Sequence, residues 1–147
     1  MNHPWADVLL AAALLGSASA WALDFRSVSE PFAILYDAPS TKAQKVFVLT
    51  QGYPVEVVVK LEGWSKVRDD TGEFAWIESN HLSDRRTVTI KAASAEARQA
   101  PDENSPVVFM AEKNVILELV SMAAGWAKVR HKDGVTGFIK VSQLWGL

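Results

Sequence analysis

Gly63-Trp64-Ser65-Lys66-Val67-Arg68 and Gly125-Trp126-Ala127-Lys128-Val129-Arg130 are one phrase written twice, 62 residues apart. Working outward from it without a gap, Ala38-Pro39 falls on Ala100-Pro101 and Val46-Phe47 on Val108-Phe109. Glu56 falls on Glu118, Val58 on Val120, Gly72 on Gly134, Ile77 on Ile139 and Leu82 on Leu144. The 47 aligned pairs from Tyr36 to Leu82 contain 14 identities, far more than chance supplies. A fixed period of this length marks two copies of one structural unit, here residues 23–84 and 85–147.

Each unit reads as short strands joined by turns. Residues 55–59 and 115–120 are rich in aliphatic and β-branched side chains. Residues 64–68 and 126–130 alternate in polarity, as a half-buried strand does. Asp69-Asp70-Thr71-Gly72 and Lys132-Asp133-Gly134 supply hairpin-turn chemistry, and 74–77 and 136–139 return as the second hairpin strand. Ser79-Asn80-His81 and Ser142-Gln143 read as single turns or 3₁₀ turns. Residues 92–100 are alanine-rich enough to suggest a helix, but their counterparts 30–38 hold Pro31 and β-formers. The repeat therefore argues for strands, about five per unit, closing a small all-β barrel.

Residues 8–15, VLLAAALL, are apolar and uncharged, and small residues follow at 16–20. The run is too short for a bilayer, which needs roughly 20 residues. It fits a secretory signal peptide over 1–22, cleaved after Ala20 or, preferentially, after Ala22. The expected location is periplasmic or secreted, with no stable membrane span. The 147-residue chain has 15 Lys and Arg, 17 Asp and Glu, a net charge of −2 and no cysteine. That balance argues against a nucleic-acid partner, and the absent cysteine removes disulfides, thiolate metal sites and a cysteine nucleophile. Without disulfides, two such small units are expected to pack on each other, using some of the four tryptophans beyond residue 22.

The run Gly-Trp-x-Lys-Val-Arg, a Gly-containing turn, aromatic-Ile and a Leu five residues on resembles bacterial SH3 domains of exported proteins. It spans Gly63 to Leu82 and Gly125 to Leu144, and the resemblance covers nearly all of 23–147. Unit one is also similar to eukaryotic SH3 domains at Ile34-Leu35-Tyr36-Asp37 and at 77–82. The resemblance implies two tandem SH3-like small β-barrels after a cleaved signal peptide, with long RT-type loops near 37–46 and 99–108. It also implies cell-wall or protein binding. A polyproline groove needs stacked aromatics, whereas this chain has Ala38, Glu78 and His81 at those stations, and Arg98 and Gln143 in unit two. Proline-rich ligands are accordingly demoted.

If Val67 and Val129 point inward, Trp64, Lys66 and Arg68 share an outer face, as do Trp126, Lys128 and Arg130. Trp76 and Phe138 are opposite in phase to the core residues Ile77 and Ile139 and line the same groove with Tyr36, and Tyr53 is a further candidate. A tryptophan beside two cations suits a peptidoglycan peptide or glycan, or an envelope protein. Alternatively the Lys and Arg stems simply cover the ring, where cation–π contact contributes about 0.5–1 kcal/mol, or the ring packs against the neighbouring unit. Trp145 is expected at the base of unit two or at the seam between units.

Catalytic and metal chemistry is poorly served. His81 and His131 stand at different stations of the repeat without a metal-ligand spacing, and no G-x-S-x-G turn or phosphate loop occurs. No cofactor is expected. Arg85, Arg86 and Lys91 form a small basic patch at the unit boundary, read as a solvated linker. The expected function is a non-enzymatic binding module, monomeric or a weak oligomer. The alternatives are an adaptor whose aromatics seal the inter-module seam, and a small hydrolase.

Overall fold

The computed structural model describes residues 23–147, so the expected signal peptide and its cleavage sites lie outside the described residues. The chain forms β1 (Phe25–Val28), β2 (Phe32–Tyr36), β3 (Lys45–Thr50), β4 (Pro54–Leu61), β5 (Trp64–Arg68), β6 (Phe74–Glu78) and β7 (Leu82–Ser83). These make one antiparallel sheet in the order β3-β2-β6-β5-β4-β1-β7. The second unit contributes β8 (Thr87–Ile90), β9 (Ser94–Arg98), β10 (Val107–Glu112), β11 (Ile116–Ala123), β12 (Trp126–Arg130), β13 (Thr136–Lys140) and β14 (Leu144–Trp145). Its order, β10-β9-β13-β12-β11-β8-β14, is the same. Every strand of unit two begins and ends 62 residues after its counterpart, as does the 3₁₀ turn Val141–Gln143 after Ser79–His81. The fold is all-β, two SH3-like barrels in tandem.

Alternation decides which face of each strand is inside. In β5 Ser65 and Val67 are buried while Trp64, Lys66 and Arg68 are half-exposed, and β12 buries Ala127 and Val129 in the same phase. The residues that sit inward in β2, β4 and β6 complete the first core around Leu35, Val55, Val67 and Ile77. The second core gathers Val88, Ile90, Leu117, Val129 and Ile139. Register shifts between Val57 and Val59, and between Leu119 and Ser121, fall at the same station of the two units. Such bulges bend a strand and raise its twist, which lets one long strand serve both sides of a small barrel.

The alanine-rich stretch is β9, and its composition has a packing reason. Leu35 and Ala75 of unit one become Ala97 and Gly137 in unit two. A Cβ on Gly137 would stand 2.8 Å from that of Ala97 and 3.3 Å from the Phe109 ring. Phe109 packs against the core, whereas its counterpart Phe47 is exposed. The second barrel thus fills with one inward ring the volume that the first fills with a leucine. Each unit has seven strands where about five were expected; one of the extra two, β7 or β14, is only two residues long and carries no periodic signal.

The units meet through aromatic rings. Trp145 stands edge-on to Phe25, with centroids 5.2 Å apart at 87°, and lies 6.5 Å from Tyr53. Thr87 Oγ1 donates to the Gly52 carbonyl across the seam at 2.6 Å. Gly146 adopts φ +112°, and a Cβ there would meet the Thr87 carbonyl at 2.8 Å and Pro54 at 3.3 Å. The connector 84–86 is exposed at Asp84 and Arg85, as a solvated linker is, yet each of its residues is also tied down. Arg26 ion-pairs with Asp84, Ser27 Oγ donates to the Arg85 carbonyl at 2.7 Å, and Arg86 donates to the Gly146 carbonyl at 2.8 Å. The Arg86 guanidinium also lies 5.7 Å from the Phe25 ring centroid.

Tyr53 thus belongs to the seam rather than to a ligand groove, and its hydroxyl is hydrogen-bonded to Asp70. Burial first, then that carboxylate, pushes the Tyr53 phenol well above the ordinary tyrosine value. A raised folded-state pKa means stability that is full below the unfolded value near 10 and lost as pH rises beyond it. Urea melts from pH 8 to 11.5 should therefore give a stability loss for wild type at the alkaline end that is clearly smaller in Tyr53→Phe. An identical alkaline slope for the two proteins would refute this placement of the phenol.

Candidate functional site

On the outer face of unit one, the antiparallel register sets Tyr36 opposite Trp76 and Trp76 opposite Lys66. The next row pairs Trp64 with Glu78. Tyr36 and Trp64 meet edge to face, 5.6 Å apart at 83°. Tyr36 is itself buried, so it props the Trp64 ring rather than offering its own face. Lys66 Nζ lies 5.3 Å from the centroid of the exposed Phe74 ring. Glu78 faces His81 at 3.4 Å. Trp64, Trp76, Lys66 and Glu78 consequently form one half-exposed surface across β5 and β6.

The same stations in unit two carry different chemistry. Arg98 replaces Tyr36 and stands opposite Phe138. It donates to the Ser105 carbonyl at 2.8 Å and ion-pairs with Glu96. Lys140 replaces Glu78; its Nζ lies 5.9 Å from the Trp126 ring centroid and pairs with Glu103 from the loop after β9. That ammonium holds the Glu103 carboxyl below its ordinary range. A groove of about 480 Å³ runs past Arg98, Glu103, Met110, Trp126 and Lys140. A second depression of about 570 Å³ lies against Gly125, Trp126 and Asp102, so hollows flank the Trp126 ring.

The nine residues expected from the sequence divide into three sets. Trp64, Trp76 and Lys66 come together, with Tyr36 beneath them. Trp126 lines the unit-two groove, while Lys128 and Phe138 pair on the adjoining row, Nζ 6.0 Å from the ring centroid. Arg68 and Arg130 stand apart from the tryptophans. Arg68 Nε donates to the buried Glu56 carboxylate at 2.6 Å across the β4–β5 register, which makes it a structural partner of that acid. Arg130 reaches Glu118 at 3.4 Å, a carboxylate it shares with Arg85. Lys140 and Glu103 were not among the expected residues. The signal available was the reversal of charge from Glu78 to Lys140 at one repeat station.

The turn acids also separate in role. Asp69 Oδ1 accepts from Thr71 and Glu73 backbone N–H groups at 2.9 and 3.0 Å, which is turn chemistry. Among the described residues no three His, Cys, Asp or Glu side chains gather as a metal-holding group. No helix of the described residues is long and apolar enough to cross a membrane.

The family comparison agrees with this architecture. The bacterial SH3 domain family matches twice, over residues 29–84 and 91–146, and the chain belongs to that family, as two tandem bacterial SH3 domains. Among solved structures, NlpC2 from Trichomonas vaginalis is similar at 18% identity and TM-score 0.39, over 84% of this chain and 48% of that one. NlpC1 from the same organism gives 19% and 0.40 over 87% and 47%. An NlpC/P60 family protein from Bacillus cereus gives 15% and 0.38 over 83% and 56%. The chain spans about half the length of these proteins. No curated protein matches it.

The two Arg–Glu pairs predict opposite sensitivities. Arg68→Ala leaves the Glu56 carboxylate, only 8% exposed, without its partner and should cost about 1–3 kcal/mol. Arg130→Ala leaves Glu118 with Arg85 and should cost under about 0.5 kcal/mol. Denaturant unfolding of the two variants checks the contrast.

Proposed function

We propose that this protein is an exported, non-enzymatic binding module that recognises a cell-envelope ligand, a peptidoglycan peptide or glycan or an envelope protein, through the outer faces of its barrels. One observation carries the proposal. The glycyl-tryptophans Trp64 and Trp126 lie half-exposed within their own sheets, beside lysines and carboxylates. The rings that bridge the two units are others, namely Phe25, Tyr53 and Trp145. An aromatic plate with charged groups at its rim suits a sugar ring or peptide backbone carrying ionic substituents, since the ring supplies apolar contact and the charges set orientation. The outward aromatic rows are not consumed by the packing of one barrel on the other, which favours a binding role over the adaptor alternative.

Trp64→Ala and Trp126→Ala should each lower co-sedimentation with purified sacculi, or retention on envelope-protein extract, several-fold, and the double variant should abolish it. Each single variant should lose only about 1–2 kcal/mol of stability. Wild-type protein that ignores both sacculi and envelope extract would overturn the proposal. For export, N-terminal sequencing of protein recovered from cells should begin at Trp21 or Leu23, and a start at Met1 would refute it.

A further inference from the structure

A cleft of about 690 Å³ opens at the junction of the two barrels, away from both tryptophan faces. Gly52 contributes from unit one, and Arg85, Asn114, Glu118, Arg130 and Lys132 from unit two and the connector. Three permanently cationic side chains thus face one carboxylate, in a chain whose net charge is −2. The two guanidiniums approach the single Glu118 oxygen only to 3.4 Å, too long to satisfy either fork. Arg85 is 66% exposed even though its backbone is pinned by Ser27. Planar guanidinium forks held on fixed backbone are the groups that take carboxylate or phosphate oxygens in pairs. His131, the other titratable neighbour, is turned to Asp133 at 3.2 Å.

The repeat supplies an internal control. At the equivalent stations of unit one, Glu56 and Arg68 close on each other at 2.6 Å, and Asp70 stands where Lys132 stands. The positive balance is therefore particular to the seam side of unit two. A second departure lies in the same place. Asn114 takes φ +71°, the conformation that Gly52 takes at its station with φ +85°. Left-handed backbone is uncommon for a residue with a Cβ, though Asn tolerates it best. Asn114 lines the cleft with a side chain that carries a carboxamide, a group glycine lacks. Asn114 also lines an adjoining depression of about 720 Å³ that brings in Lys91 and Lys113, so the cationic surface continues around the seam. Of the basic boundary patch, Arg85 lines the cleft and Lys91 the adjoining depression, while Arg86 is committed to the seam.

We infer that this inter-barrel cleft binds a compact multivalent oxyanion, a carboxylate or phosphate group of a ligand, with Arg85, Arg130 and Lys132 as its charge partners and the Asn114 amide as a donor. The site is separate from the tryptophan faces, so each stands or falls alone. Full-length mature protein is titrated with pyrophosphate and, separately, with citrate, followed by NMR shifts of the Gly52 and Asn114 amides at 50 and 300 mM NaCl. At least one anion should bind saturably and weaken at high salt. The double variant Arg85→Ala/Lys132→Ala, both positions being exposed, should bind about tenfold more weakly, and Asn114→Gly severalfold more weakly with its backbone unstrained. Trp126→Ala should bind as wild type. A response to pyrophosphate alone assigns a phosphate ligand, and a response to citrate alone a carboxylate. If neither anion saturates, or if the double variant binds within twofold of wild type, the inference is wrong.

Discussion

Trp145 against Phe25 is the contact on which the rest of the molecule leans. Each barrel is near 60 residues, a size at which folding buries only about 60% of the surface that the unfolded chain exposes, and cysteine is absent. Neither unit can add a disulfide, so each relies on its own small aliphatic core and on the neighbour's apolar surface. The edge-to-face ring pair, worth about 0.5–1.5 kcal/mol beyond its area, is buttressed by Tyr53 on one side and the Arg86 guanidinium on the other. Phe25 begins the first strand and Trp145 ends the last. Joining the two ends of the described chain in this way makes strand order in one barrel matter to the stability of the other.

With the seam occupied by those rings, the remaining aromatics are free to serve the outer faces, and there the two copies have diverged. The backbone repeats station by station, yet Tyr36 becomes Arg98, Glu78 becomes Lys140 and Asp70 becomes Lys132. Unit one offers an aromatic surface with an acidic rim, and unit two a tryptophan between ion pairs. The scaffold residues that hold these faces, Val67 and Ile77 with Val129 and Ile139, are identical in kind and wholly buried. Duplicated architecture with unlike surfaces suits a ligand that presents different groups to the two barrels, or two ligands at once.

The offset of 62 made the fold readable, because it rests on local alternation and turn chemistry that a single strand already displays. Trp64, Lys66 and Arg68 share a face as their spacing requires. What stayed hidden depended on contacts between distant stretches of chain. Glu103 and Lys140 are 37 residues apart and meet only because the loop after β9 folds over β13. Tyr53 follows a glycine like any turn residue, and only the fold sets it half-buried between the first core, Asp70 and Trp145 of unit two. Tyr36 looked like a groove residue and is buried beside Trp64, since the strand that carries it is flanked on both edges. Arg68 carried no mark distinguishing it from Lys66, and the register across β4 and β5 alone commits it to Glu56.

The three-residue connector has a consequence for how firmly two such small bodies need to grip one another. Separate proteins sharing a contact of a few rings and a few hydrogen bonds would rarely be found together at cellular concentrations. A short tether raises the local concentration of one partner about the other to roughly the millimolar range. An interface that weak between free molecules is then closed most of the time within one chain. Evolution of the seam is correspondingly permissive. Substitutions among its residues then cost the pair less than they would cost two free molecules.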